Sequence, residues 1–141
     1  MNLLTALDVN ASGLTAQRQR VEVSSANLAN SQTTRTEEGG AYRRKDVVFQ
    51  ASSFHDSLGS AMSQGVTGVE VSGVVEDSRP FDRRYEPGHP DADKEGYVSY
   101  PNVNAMEEMA NLVEAARSYE ANLAAIGIVK TMINRTLDIG R

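Results

Sequence analysis

The sequence has no cysteine and no tryptophan, and only two histidines in 141 residues. Without thiols there can be no disulfide and no thiolate metal site, which suits a chain that passes between compartments of different redox poise. His55 and His89 lie far apart and neither sits in an HExxH frame, so no zinc site is readable. Any nucleophile–base pair would have to use one of these two histidines, and no GxSxG turn accompanies them. Gly-rich phosphate loops are missing as well. Asp91, Asp93, Glu95 and Gly96 copy the first half of a calcium loop. Asn102 stands where that loop needs a bidentate Glu, and Pro90 and Pro101 deny it flanking helices. Carboxylate pairs for glycan cleavage can be drawn from Glu76, Asp77, Asp82, Asp91 and Asp93, but no spacing puts two of them in one cleft. The expectation is a chain with no catalytic residue, no metal ligand and no cofactor.

Basic charge is also scarce. The formal net charge is −5 and no basic stripe is present, so nucleic acid is not an expected partner. MNLLTALDVN has no basic segment before Asp8, no apolar run and no small-residue cleavage site, so no secretory signal peptide is expected. The apolar stretch from Ala121 to Ile133 is too short, and too interrupted by Asn122 and Lys130, to span a bilayer.

What the chain does have is a long C-terminal helical pattern between Pro101 and Arg141. Met109, Leu112, Ala116, Tyr119, Leu123, Ile126, Ile133 and Leu137 recur at alternating steps of three and four, broken only by Lys130. That is a heptad seam, the pattern by which one helix packs lengthwise on another. Asn104 with Glu107 has the spacing of a capping box, and Gly140 marks an end. A helix of roughly 34 residues would run about 50 Å. Ile128 falls nearly opposite the seam, so one partner helix cannot cover both faces. A helix apolar all round is normally buried all round, and this chain has little else to bury it with. The pattern therefore predicts an assembly.

A second seam occupies residues 2 to about 30, through Leu4, Leu7, Ala11, Leu14, Val21 and Leu28, with Arg18 and Ser25 as its polar members. Asn2 suits a cap, and Gly13 weakens this helix by about 1 kcal/mol against Ala. Arg18 and Lys130 are expected to snorkel to the helix edge. Asn27 and Asn30 read as residues that end a helix and fix a turn, followed by a polar loop from Ser31 to Gly40. Tyr42 to Gln50 reads as a short strand or extended arm, its basic run Arg43-Arg44-Lys45 as a solvated face. Ala51 to Gly65 reads as a surface insertion, and the alternation within Gly65–Asp77 as a strand, in a hairpin at most. Arg79 to Asn104 holds all four prolines and is expected to be extended, pinned by Phe81, Tyr85, Tyr97 and Tyr100 and suited to docking, with a short strand at Tyr97–Tyr100. The fold class is thus mainly α with a small β-containing centre. Residues 1–32 and 102–141 pair as a coiled coil, and 33–101 form an extended central segment.

These residues resemble a known family. Asn27-Leu28-Ala29-Asn30, following an N-terminal helix, is similar to the signature shared by the rod and hook proteins of the bacterial flagellum. The block from Tyr85-Glu86-Pro87-Gly88 through Gly96-Tyr97 to Pro101-Asn102 resembles the stretch that marks proximal-rod members. Tyr42-Arg43-Arg44-Lys45 and Arg117-Ser118-Tyr119 extend the match, which covers nearly the whole chain except Ala51–Gln64. The resemblance implies a structural subunit, exported through the flagellar channel without a cleaved signal and polymerised helically in the periplasm. Its partners would be copies of itself, other rod proteins, a base-ring adapter and the export apparatus. Two other readings stand beside it, a peptidoglycan-acting enzyme and a free coiled-coil adaptor.

Overall fold

The computed structural model describes residues 3–53 and 67–139. In chain order these form α1 (Leu3–Ala29), β1 (Lys45–Ser53), β2 (Thr67–Glu76), β3 (Asp82–Tyr85), β4 (Tyr97–Tyr100) and α2 (Ala105–Ile139). The chain is mainly α with a small β-containing centre. Asn104 caps α2 as its spacing predicts: Met106 N–H donates to Asn104 Oδ1 at 3.0 Å. At the far end of α1, Asn30 N–H and its own side-chain amide both donate to Ala26 O, and Ser31 Oγ donates to Leu28 O. The helix therefore closes into a turn where the Asn pair lies. Asn2, Gly140 and Arg141, expected at the helix ends, fall outside the described residues.

The two helices run antiparallel. Arg20 reaches Glu114 Oε2 at 3.1 Å, and Asn27 Nδ2 reaches Glu108 Oε2 at 3.2 Å. A Cβ added at Gly13 would stand 3.1 Å from the Asn122 amide. At 27 and 35 residues the helices measure about 40 and 52 Å.

The apolar seam read from periodicity is only half enclosed. Ala16, Ser24 and Asn27 of α1 and Glu108 and Ala115 of α2 are the buried residues of the pair. One heptad position of each expected seam faces outward. In α1 it carries Leu4 and Ala11, together with Arg18 and Ser25. In α2 it carries Met109, Ala116, Leu123 and Leu137, together with Lys130. Leu7, Leu14, Val21 and Leu28, and Leu112, Ile126 and Ile133, are half-buried, while Tyr119 is just exposed. The reason is physical. A three–four repeat says that a stripe is used, not which neighbour covers it. Small residues such as Gly13, Ala16 and Ala115 let the two backbones approach, and one heptad position of each helix is turned away from that contact.

β1 and β2 form an antiparallel hairpin, Lys45 opposite Glu76 and Ser53 opposite Thr67, with a bulge at Val48/Phe49. The strand expected at Tyr42–Gln50 begins three residues later and continues through Ser53, into what reads as insertion. The rest of that insertion lies outside the described residues. The hairpin is tied to α1 at two levels, by Val69 N–H donating to Ser12 Oγ and by Asn27 at Lys45. The Pro-containing strip folds back on itself, β3 pairing antiparallel with β4. Gly96 at its turn has φ +84°, and a Cβ there would stand 2.9 Å from Tyr85 Cε2 and 3.2 Å from Pro87 Cβ, so only glycine fits.

Candidate functional site: a buried polar hub and an exposed apolar arc

Where α1 ends and α2 begins, Tyr42, Lys45 and Glu108 meet on one asparagine. Asn27, 1% exposed, uses its whole amide. Its Oδ1 accepts from Lys45 N–H and from the Tyr42 hydroxyl, both at 3.0 Å. Its Nδ2 donates to Lys45 O at 2.8 Å and to Glu108 Oε2. The amide thus bonds the backbone of Lys45 on both sides, as a neighbouring strand would. Glu108, fully buried, takes its other oxygen to Arg44 Nε at 2.7 Å. Arg44 also faces Asp46 and Asp77, so the hub carboxylate and guanidinium are paired rather than stranded.

Asn102 completes the hub from the loop before α2. It accepts from Arg44 N–H at 2.9 Å and donates to Arg79 O at 3.1 Å. Arg43 donates to the carbonyls of Asp77 and Arg79 and lies over the Phe81 ring at 4.3 Å. The basic run expected on a solvated face is therefore partly enclosed: Arg44 grips a carboxylate of its own chain. Hydrogen bonds from Arg79, side chain first, hold the Asp77 carboxyl down at about 2. Burial, with Glu108 and Glu76 nearby, pushes the Tyr42 phenol up.

The family-motif residues divide between this hub and the strip above it. Asn27 and Asn102 are in the hub, and Pro101 is buried beside it. Leu28, Ala29 and Asn30 form the end of α1. Tyr85 and Tyr97 pack edge to face at 5.3 Å on the strip, where Pro87 and Gly88 turn. Asp91 receives Thr34 Oγ1 and pairs with Arg35, which ties the loop after α1 to the strip. Asp93 Oδ1 accepts the N–H groups of Glu95 and Tyr97, so it serves the turn. Among the described residues no group of three metal-ligating side chains converges.

The second feature is the outer arc of α2. Met106, Val113, Ile128, Met132 and Leu137 are all more than half exposed, Ile128 at 63%. A shallow groove of about 500 Å³ runs along Ala124, Gly127, Ile128, Thr131, Met132 and Arg135. No helix of the described residues is long and apolar enough to cross a membrane. The apolar face expected from Ala121–Ile133 is present, and Leu123 and Ile128 on it are more than half exposed.

Comparison with known proteins decides the family. Residues 7–35 match the family model for flagella basal body rod proteins, and 94–139 match the flagellar basal body rod FlgEFG protein C-terminal model. Over its full length the chain is 45% identical to the flagellar basal-body rod protein FlgC of Bacillus subtilis and 42% identical to that of Escherichia coli, covering 100% of both. The Borreliella burgdorferi protein of the same name is 40% identical over 99% of this chain and 98% of its own. The chain belongs to the flagellar basal-body rod protein family. It is a structural protein of the basal-body rod, not an enzyme, and its family assembles with other rod components. The two matched ranges span most of α1 and all of α2, and Asn27 and Glu108 of the hub lie within them.

Sequence reasoning missed Tyr42, Arg44, Asp77 and Glu108 as a unit. The usable signal was Glu108 itself: it heads a heptad row with Ala115 and Asn122, small or polar, the row that faces α1.

Proposed function

We propose that this chain is a subunit of the proximal rod, which polymerises helically in the periplasm and transmits motor torque. The observation that carries the reading is the uncovered arc of α2, apolar at Ile128 and Leu137 yet on a helix that crosses no membrane. The subunit exposes 9966 Å², against about 7100 Å² for a compact monomer of 15.3 kDa. Among the described residues the buried core is Ala16, Val98 and Ala115, with Pro101. A chain with so little core gains most of its burial from neighbours.

On this reading residues 1–32 and 102–141 form one helical domain, inner in the rod, coiled with the helices of adjacent subunits. Residues 33–101 lie outside it. The subunit-packing residues are Leu4, Leu7, Ala11, Leu14, Val21, Leu28, Met109, Leu112, Ala116, Tyr119, Leu123, Ile126, Ile128, Ile133 and Leu137, with the outward members Leu4, Ala11, Met109, Ala116, Leu123 and Leu137 foremost. Neighbours are copies of this chain, other rod proteins and a base-ring adapter, and delivery is through the flagellar export apparatus without a cleaved signal. Sedimentation of the purified full chain tests this. Monomer in equilibrium with open-ended polymer is expected. A closed dimer would instead make it a free adaptor.

A further inference from the structure

The exposed residues of the two helices form two stripes that complement each other in register. In α1 the outward stripe steps by alternating fours and threes through Asp8, Ala11, Thr15 and Arg18. In α2 an outward stripe with the same steps runs through Glu120, Leu123, Gly127 and Lys130. Set antiparallel, these meet rung by rung, and the residue numbers of every facing pair add to the same total. The two charged rungs are of opposite sign, Asp8 with Lys130 and Arg18 with Glu120. Between them Ala11 meets Gly127, and Thr15 meets Leu123. All eight are exposed in the subunit, and Arg18 makes only an exposed i,i+4 pair with Glu22.

We infer that the outward stripe of α1 docks antiparallel on the outward stripe of α2 in a second copy of this chain, in this register. The inference rests on the subunit reading above and names the faces it uses. Both stripes lie on one molecule but are different surfaces, so the contact is heterologous and propagates. Within the subunit, the facing pairs Gly13/Asn122 and Asn27/Glu108 add to a total three lower. The neighbouring copy is therefore displaced by about 4.5 Å along the helices. A heterologous contact with an axial step builds a screw rather than a flat ring.

The absence of cysteine gives a clean background for cross-linking. The full chain carrying Ala11→Cys and Gly127→Cys is expressed in place of the wild type, and its basal bodies are oxidised. A Cβ at Gly127 meets nothing within 4 Å, so the substitution fits the subunit. The expected result is a ladder of dimers and higher multimers, with none from Ala11→Cys/Ala124→Cys or Ala11→Cys/Thr131→Cys. Independently, Asp8→Lys and Lys130→Asp each lower incorporation into basal bodies roughly two- to fivefold, and the double reversal restores it. Basal bodies that contain the chain but give no in-register cross-link, equal cross-linking at the control positions, or no rescue by the double reversal would each overturn the contact while leaving the subunit reading intact. A wild-type chain absent from basal bodies would overturn both.

Discussion

The hub and the outer arc of α2 reverse the ordinary distribution of side chains. At the hub a carboxylate, an amide and most of a guanidinium are enclosed, and every polar contact is made within the chain. On the arc, isoleucine, leucine, valine and methionine face outward, each more than half exposed. Enclosed polar groups are costly unless each is bonded, so such a cluster tolerates few alternative arrangements. Apolar contact is non-directional and additive with area. The difference divides the work: the hub holds α1, the hairpin and α2 at fixed angles, and the arc is left to be covered by others. Changes at the hub should therefore damage the isolated subunit, and changes on the arc should spare it.

The largest effect on the isolated subunit is expected from Glu108→Ala. It leaves Arg44 without its closest partner and should cost roughly 3–5 kcal/mol, measured by denaturant unfolding. Asn27→Ala strips both backbone groups of Lys45 and the Tyr42 hydroxyl of their partner. A loss of about 2–3 kcal/mol follows, with detachment of the β1 end of the hairpin visible as faster amide exchange at Lys45. Gly96→Ala meets a left-handed backbone and a close Tyr85 ring, and should lose on the order of 1–2 kcal/mol. An unchanged melting point in that variant would show that the turn can relax.

Acid gives a gentler probe of the same region. Asp77 titrates at about 2 in the folded chain, below its ordinary 3.8, because Arg79 and Arg44 favour its charged form. A depressed carboxyl adds stability above its ordinary pKa and loses it as pH falls through the folded value. The melting temperature should therefore drop as pH falls from about 4 to 2, and Asp77→Asn should flatten that part of the curve. Asp93, held low mainly by the Tyr97 N–H, adds in the same direction.

How much of this was legible in the sequence differs between the two regions. The helices, the cap at Asn104 and the strand at Tyr97–Tyr100 follow from local spacing, and the structure has them. The excess apolar face around Ile128 could also be read, because periodicity records every stripe a helix uses. The phase of the helix pair could not. Large apolar residues dominate any periodicity count, whereas this contact is made by Ala16, Ser24, Ala115 and Asn122, which a count of apolar residues scarcely weighs. Arg18 and Ser25 in α1 and Lys130 in α2 were the clue, since polar residues at one heptad position of each helix mark it as outward. The hub was illegible for another reason. Asn27, Arg44, Asn102 and Glu108 are scattered over the chain and meet only through the antiparallel closure of its ends. Asn27 looks, from its neighbours alone, like one more helix-ending asparagine.

The central claim is that the arc of α2 belongs to neighbouring subunits and not to the fold of this one. The most direct test is Ile128→Asp, measured twice. Melted as a purified monomer, it should match the wild type within about 0.5 kcal/mol, as an exposed substitution does. Expressed at wild-type level in cells, the same variant should be exported yet missing from basal bodies, because every subunit contact would then enclose an unpaired carboxylate. Normal swimming with this variant at normal protein level would contradict the account.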